Sequence, residues 1–284
     1  MKRASLWWLP WPALLWFVSF IFAPLILILG ISIAHRGVYG DIVWDLSFMN
    51  YLGLANTTVL QIFLRTVVFA LSTAIVCVGF GVLAAWAMAA APKGWRDFFL
   101  ALIVVPFLTN GLIRILGLKS FVSVEGPLDQ LLNLLHIPHD PFALSSNIYL
   151  VAVGMVTCCL PFAILPLYGA FEKFDFSLVE AAYDLGANNR TVLFQVVLPV
   201  LRKPILSAGF LVFIPSLGEY LIPDLLGGAK AMFLGNLITD KFLKSRDWPV
   251  GSALAVMLIC SLLLAWLFLQ QLERVKKSGI ANGQ

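Results

Sequence analysis

The sequence predicts an all-α integral membrane protein with six transmembrane helices, and three observations lead there. Of 284 residues, 61% are hydrophobic and only 12% are charged, with a mean hydropathy of +0.93. That is too little charge to cover a water-soluble globule. Six apolar stretches, near residues 11–33, 63–90, 98–118, 147–170, 204–224 and 250–271, each reach the ~20 residues a helix needs to cross a ~30 Å hydrocarbon core. Little remains between them for a soluble domain, so residues 1–284 are expected to form a single transmembrane domain.

Taken in order, the first stretch follows Lys2 and Arg3 and ends in the small-residue pattern Ser32-Ile33-Ala34, which resembles a signal peptide. Its apolar run is well beyond the ~7 to 15 residues of a signal core, so it is expected to stay as a span. The second and third stretches are joined by the short, breaker-rich turn 91–97. Between the third and fourth, the loop 122–147 carries Leu128, Leu131, Leu132 and Leu135 at helical spacing, which predicts a short interfacial helix. Pro24, Pro106, Pro161, Pro166, Pro215 and Pro223 fall within the spans. Each removes a backbone donor, so these helices are expected to kink and to pack against protein or water. No internal repeat is visible.

Lys and Arg set the orientation. With the N-terminus in the cytoplasm, eleven fall inside (Lys2, Arg3, Lys93, Arg96, Lys173, Arg190, Arg202, Lys203, Arg274, Lys276, Lys277) and seven outside (Arg36, Arg65, Lys119, Lys230, Lys241, Lys244, Arg246), with Arg114 left in a span. The bias places both termini in the cytoplasm. The net charge of +4 therefore reads as a topology signal and not as nucleic-acid binding. Cys77, Cys158, Cys159 and Cys260 all lie in spans, where they read as small packing residues. The His136–Asp140 stretch has two histidines but no further ligand at metal-site spacing, so it reads as an exposed loop.

One polar stretch interrupts the apolar pattern, SLVEAAYDLGANNRTVLFQVVLPVL at 177–201. Ser177 and Glu180 have capping-box spacing, which predicts a helix starting at Ser177. Gly186 is suited to the left-handed residue that ends it. Asn188 or Asn189 can cap a second short helix, with Pro199 at its end. On physics alone, this is either a compact projection for another protein or an amphipathic connector.

Glu180-Ala181-Ala182, then Gly186, then Val196, Leu198 and Pro199, resembles the EAA loop of permease subunits of bacterial ABC importers; Val196 stands where isoleucine is usual. Residues 105–121, 213–230 and 245–256 resemble the spermidine/putrescine branch of that family. The resemblance implies a type I ABC importer permease fold in the bacterial inner membrane, with the loop at 172–203 as a cytoplasmic coupling element. Glu180, Ala181, Ala182, Asp184, Gly186, Leu198 and Pro199 would serve ATPase coupling. It also implies a second permease subunit, two copies of a cytoplasmic ATPase and a periplasmic polyamine-binding protein. This chain would bind no cofactor, ATP and Mg belonging to the ATPase.

A charge within a bilayer costs about 2.5 to 3.5 kcal/mol on insertion scales, so Arg114, Glu219 and Asp224 need reasons. Arg114 can snorkel outward or pair with Glu219. Glu219, Tyr220 and Asp224 offer the carboxylates and aromatic face that a chain of ammonium groups and methylenes requires. Glu219 and Asp224 are five residues apart, so both reach one passage only if Pro223 breaks the helix. Asp224 can instead be a helix cap. Asn110, with Thr109, can line the same passage or satisfy backbone freed by Pro106.

The expected function is thus a non-catalytic permease subunit of a polyamine importer. A same-fold permease for another solute, a stand-alone channel and a membrane enzyme are the alternatives. The chain has no G-x-x-x-x-G-K-[ST] phosphate loop and no histidine within a span, which weighs against its being the ATPase or an enzyme acting between spans.

Overall fold

In lipid every backbone N–H needs a partner within its own segment, so long apolar runs become long helices. A computed structural model describes residues 10–140, 146–228 and 231–281. Lys2, Arg3 and Lys230, which enter the charge count, lie outside the described residues. Helix α1 (Pro10–Ser32) leads to a two-stranded antiparallel hairpin, β1 (His35–Arg36) with β2 (Ile42–Val43), and then to α2 (Met49–Leu54). Next come α3 (Thr57–Ala90), α4 (Lys93–Leu108), α5 (Gly111–Val122) and α6 (Pro127–Leu134). They are followed by α7 (Ile148–Phe171), α8 (Ser177–Asp184), α9 (Asn189–Val200) and α10 (Arg202–Gly218). The chain closes with α11 (Leu221–Leu226), α12 (Leu234–Thr239), a π-helical turn at Asp240–Lys244, and α13 (Trp248–Ala281).

Helices α1, α3, α7 and α13 are each long and apolar enough to cross a membrane. Two bent pairs, Lys93–Leu108 with Gly111–Leu134 at 94° and Asn189–Val200 with Arg202–Gly218 at 77°, bring the candidate spans from four to as many as six when each pair is counted as one broken span. The second span starts earlier than expected because Asn56 Oδ1 accepts from the Thr58 amide (3.2 Å) and opens α3 at Thr57. The short helix in the 122–147 loop is present as α6.

The third and fifth stretches differ from expectation, for neither 98–118 nor 204–224 is one continuous helix. Pro106 cannot donate to Leu102, and α4 stops two residues later at an extended Thr109 (ψ 150°), whose hydroxyl folds back onto the Pro106 carbonyl (2.6 Å). Helix α10 ends at Gly218 and Glu219 is extended (ψ 125°). Its 17 residues reach about 26 Å, short of the ~30 Å core.

The chain forms two compact units, Met1–Gln61 with Leu237–Gln284, and Ile62–Asn236. In the first, α1 and α2 pack on α13, and Asn50 Nδ2 closes the end of α1 by donating to the carbonyls of Ser32 (2.9 Å) and Ala34 (2.8 Å). In the second, α4, α5, α10 and α11 all pack on α7. Small residues permit the close approaches. A Cβ on Gly81 would meet Leu167 at 3.1 Å and Ala163 at 3.2 Å, and one on Gly154 would meet Leu226 at 2.7 Å and Ile222 at 3.0 Å. The four cysteines are free thiols, and Cys77 donates to the Val156 carbonyl at 3.7 Å, a packing contact as expected.

Candidate functional site

The polar loop is built on an aromatic support. Trp86 stacks near Phe171 (6.4 Å between ring centres), Phe171 meets Phe174 (6.1 Å), and Phe174 meets Phe176 edge-on (5.4 Å). Val179, Val192, Val197 and Leu201 are buried against this ladder together with Met88 and Ala89 of α3. The loop is therefore anchored to the ends of α3 and α7, a rigid base that side-chain contacts alone create. Only Trp86 of these aromatics falls within an expected span, and the spacing of Phe171, Phe174 and Phe176 does not announce a shared support, so it was not legible in the sequence.

Helix α8 starts at Ser177, but not through the capping box. Asp175 Oδ1 accepts from the Ser177 amide (3.0 Å), while Glu180 points out exposed, its amide bonded to the Phe176 carbonyl (3.2 Å). Asp175 wins because the chain already turns at Phe176, in helical conformation, before Ser177 can act as a cap. Bonds from the Ser177 side chain and amide hold the Asp175 carboxyl below its ordinary range. The helix closes as a Schellman motif: Ala187 N–H donates to Ala182 O (3.0 Å), Gly186 N–H to Tyr183 O (2.8 Å), and Gly186 takes φ +81°. Asn188 then caps α9 by accepting from the Thr191 amide (2.9 Å). Tyr183 Oη donates to Asn189 Oδ1 (3.1 Å), tying the two arms together.

The second helix ends at Val200, one residue past Pro199. Val192–Val197 is a π-helical turn in which the Leu198 amide reaches back five residues to Leu193 O, and the helix continues through Pro199 to Val200. A proline ring crowds the carbonyl four residues before it, and a π turn widens the ladder there. Of the expected coupling residues, Glu180, Ala181, Asp184, Gly186 and Pro199 are exposed, while Ala182 and Leu198 lean on the buried base. Leu178, Tyr183 and the 89%-exposed Leu185 add an apolar surface among the two acids. One projection thus presents both a shaped corner and a free face.

The expected path residues sit at the two helix breaks. Asn110 Oδ1 accepts from the Leu112 amide (2.8 Å) and caps α5. Glu219 Oε1 accepts from the amides of Leu221 (2.9 Å) and Ile222 (3.3 Å) and caps α11. The break that frees Glu219 lies at Glu219 and Tyr220 and not at Pro223, which is buried inside α11. A proline in the first turn of a helix loses nothing, since that N–H has no helical partner anyway. Tyr220 is half-exposed, and its carbonyl accepts from the amide of Asp224, an exposed residue of the first turn of α11. Irregular backbone at membrane depth is tolerated only where protein buries it or where it lines a watery cavity. Arg114 makes no ion pair with Glu219, and its Nε is buried without a partner.

The 136–140 loop holds no metal cluster among the described residues, yet it is not simply exposed. His139 Nε2 pairs with Asp129 Oδ1, each side chain only 9% exposed. Asp129 Oδ2 also accepts from the amide of Glu125, a residue at φ +63°. The Ile137 carbonyl accepts from His139 Nδ1–H and the Asp129 carboxylate from Nε2–H, so both favour the protonated ring and raise its proton affinity above the ordinary value. Ten residues separate the pair, and no helical spacing announces it.

The family model for the inner membrane component of binding-protein-dependent transport systems matches residues 4–277. The chain belongs to that family. Among this permease's relatives, the spermidine/putrescine transport system permease protein PotB of Haemophilus influenzae is 37% identical over 85% of this chain and 84% of its own. The PotB protein of Escherichia coli K12 is 36% identical over 86% and 88%. The fold matches a bacterial ABC transporter involved in import of the acidic polysaccharide alginate, with a TM-score of 0.72, 16% identity and coverage of 95% and 94%. The permease is thus an all-α inner-membrane protein of the type I ABC importer fold.

Proposed function

We propose that the chain is the permease subunit of an ATP-driven importer of polyamines of the spermidine/putrescine class. The observation that carries this is the 36% to 37% identity to permeases named for that transport, extending over 84% to 88% of each chain. The residues at the breaks fit the solute: Glu219 and Asp224 answer ammonium charge, and the Tyr220 ring can cover methylenes. The chain itself is non-catalytic and binds no cofactor. ATP and Mg are handled by two copies of a cytoplasmic ATPase, a second homologous permease completes the passage, and a periplasmic polyamine-binding protein delivers the solute.

Both termini and the 172–203 loop face the cytoplasm in this reading. The ATPase docks on the exposed face of α8, where Glu180, Ala181, Asp184 and Gly186 meet it. Because the loop stands on the ends of α3 and α7, a displacement at the ATPase is passed to two spans at once, with little slack in the aromatic support. Asn110, Glu219 and Tyr220 lie at breaks where the backbone can change direction without unwinding a helix.

The test is uptake of labelled spermidine and putrescine into liposomes holding the permease pair and ATPase, with binding protein outside and ATP inside. Accumulation requiring both is expected. Uptake of another solute with no polyamine uptake would overturn the reading.

A further inference from the structure

Beside the break at Glu219 lie three oxygen acceptors, one a buried side-chain oxygen without a partner and two of them carbonyls cut off from their helical donors. Asn236 is buried, 8% exposed, and its Nδ2 donates to the Tyr220 carbonyl (2.9 Å). A carbonyl can only accept, so this bond fixes which way the amide is turned, and it leaves Oδ1 buried with no partner. An unpaired buried acceptor is costly to keep. The second and third acceptors are the carbonyls of Gly218 and Glu219. In a continuous helix they would be served by the amides of residues 222 and 223. Ile222 N–H is taken by Glu219 Oε1, and position 223 is proline, which has none. Gly235 brings Asn236 to this place: a Cβ there would lie 2.8 Å from both carbonyls, so only glycine lets α12 press against the break.

These acceptors lie at the C-terminal end of α10, where the helix dipole favours a positive charge, next to the Glu219 carboxylate. A primary ammonium carries three N–H donors and one charge. We propose that Asn236 Oδ1, with the Gly218 and Glu219 carbonyls, forms a seat for one primary ammonium of the transported polyamine. This rests on the polyamine reading and adds to it a residue, Asn236, whose role is to accept and not to carry charge.

Two substitutions separate that role from bracing the break. Asn236→Ala removes both the acceptor and the N–H given to Tyr220. Asn236→Asp, ionised, loses the N–H but keeps and strengthens the acceptor. Spermidine uptake per assembled complex, in liposomes with loaded binding protein, is expected to fall about tenfold or more in Asn236→Ala, the scale of a lost hydrogen bond to a charged group. In Asn236→Asp it is expected to stay near that of the unsubstituted complex. Equal loss in both variants, whether of turnover or of assembly, assigns Asn236 to holding the break and overturns the proposal. So does unchanged uptake in Asn236→Ala. Absence of polyamine uptake by the unsubstituted complex removes the underlying reading as well, and is seen before any variant is compared.

Discussion

Glu219 shows how one side chain can be placed by structure and still be available to a solute. Its Oε1 caps α11, so removing the whole side chain by Glu219→Ala costs about 1 kcal/mol of capping and lowers the amount of assembled complex. Glu219→Gln keeps an oxygen for that cap and removes only the charge. Uptake per assembled complex should then fall severalfold, with assembly preserved, as quantitative blotting beside initial-rate uptake will show. Unchanged per-complex uptake would mean that the carboxylate serves the cap alone. At this scale the sequence was informative where a residue type has one dominant use. Gly186 and Asn188 occupy the expected corner and cap. It was uninformative where two neighbours compete for one task, as Asp175 and Ser177 do, since a shift of two residues decides the winner and local spacing does not.

Elements were legible by hydropathy and their interruptions only in part, for Pro106, expected to kink its span, does precede the break at Thr109. The runs at 98–118 and 204–224 stay apolar across Thr109 and Glu219, and hydropathy does not sense where a backbone ladder stops. Pro223 pointed to the wrong place because it is harmless in a first turn. The hairpin of β1 and β2 is too short for any strand signal. Orientation can be read at the loops: a cysteine at the exposed Gln130 should react with an impermeant thiol reagent added outside. A cysteine at the exposed Arg190 should react only after the cytoplasmic face is opened. Labelling of Arg190→Cys from outside would reverse the topology. The loop holding α6 should also respond to pH. His139 has its proton affinity raised in the folded protein, so its pairing with Asp129 is complete below the ordinary histidine value, about 6.5, and is lost as pH rises through the higher folded value. Hydrogen exchange in 122–140 should therefore speed up on the alkaline side beyond the intrinsic increase. Asp129→Asn should abolish that step, and identical profiles in the two would dismiss the pairing.

In the whole molecule, the loop matters only if movement at α8 reaches the spans, and Gly186 is where that connection is most exposed to a single change. A Cβ at 186 would meet nothing within 4 Å, so the main cost of Gly186→Val is that of a branched residue at φ +81°, about 1 to 2 kcal/mol. The buried base of Val179, Val192 and Val197 is untouched, so the spans should insert normally. The most direct measurement is the ATPase rate of the reconstituted complex, with and without polyamine-loaded binding protein, for the unsubstituted chain and for Gly186→Val. Stimulation by the loaded binding protein in the first, and its loss in the second at equal membrane content, is the predicted result. Full stimulation in Gly186→Val would contradict the account.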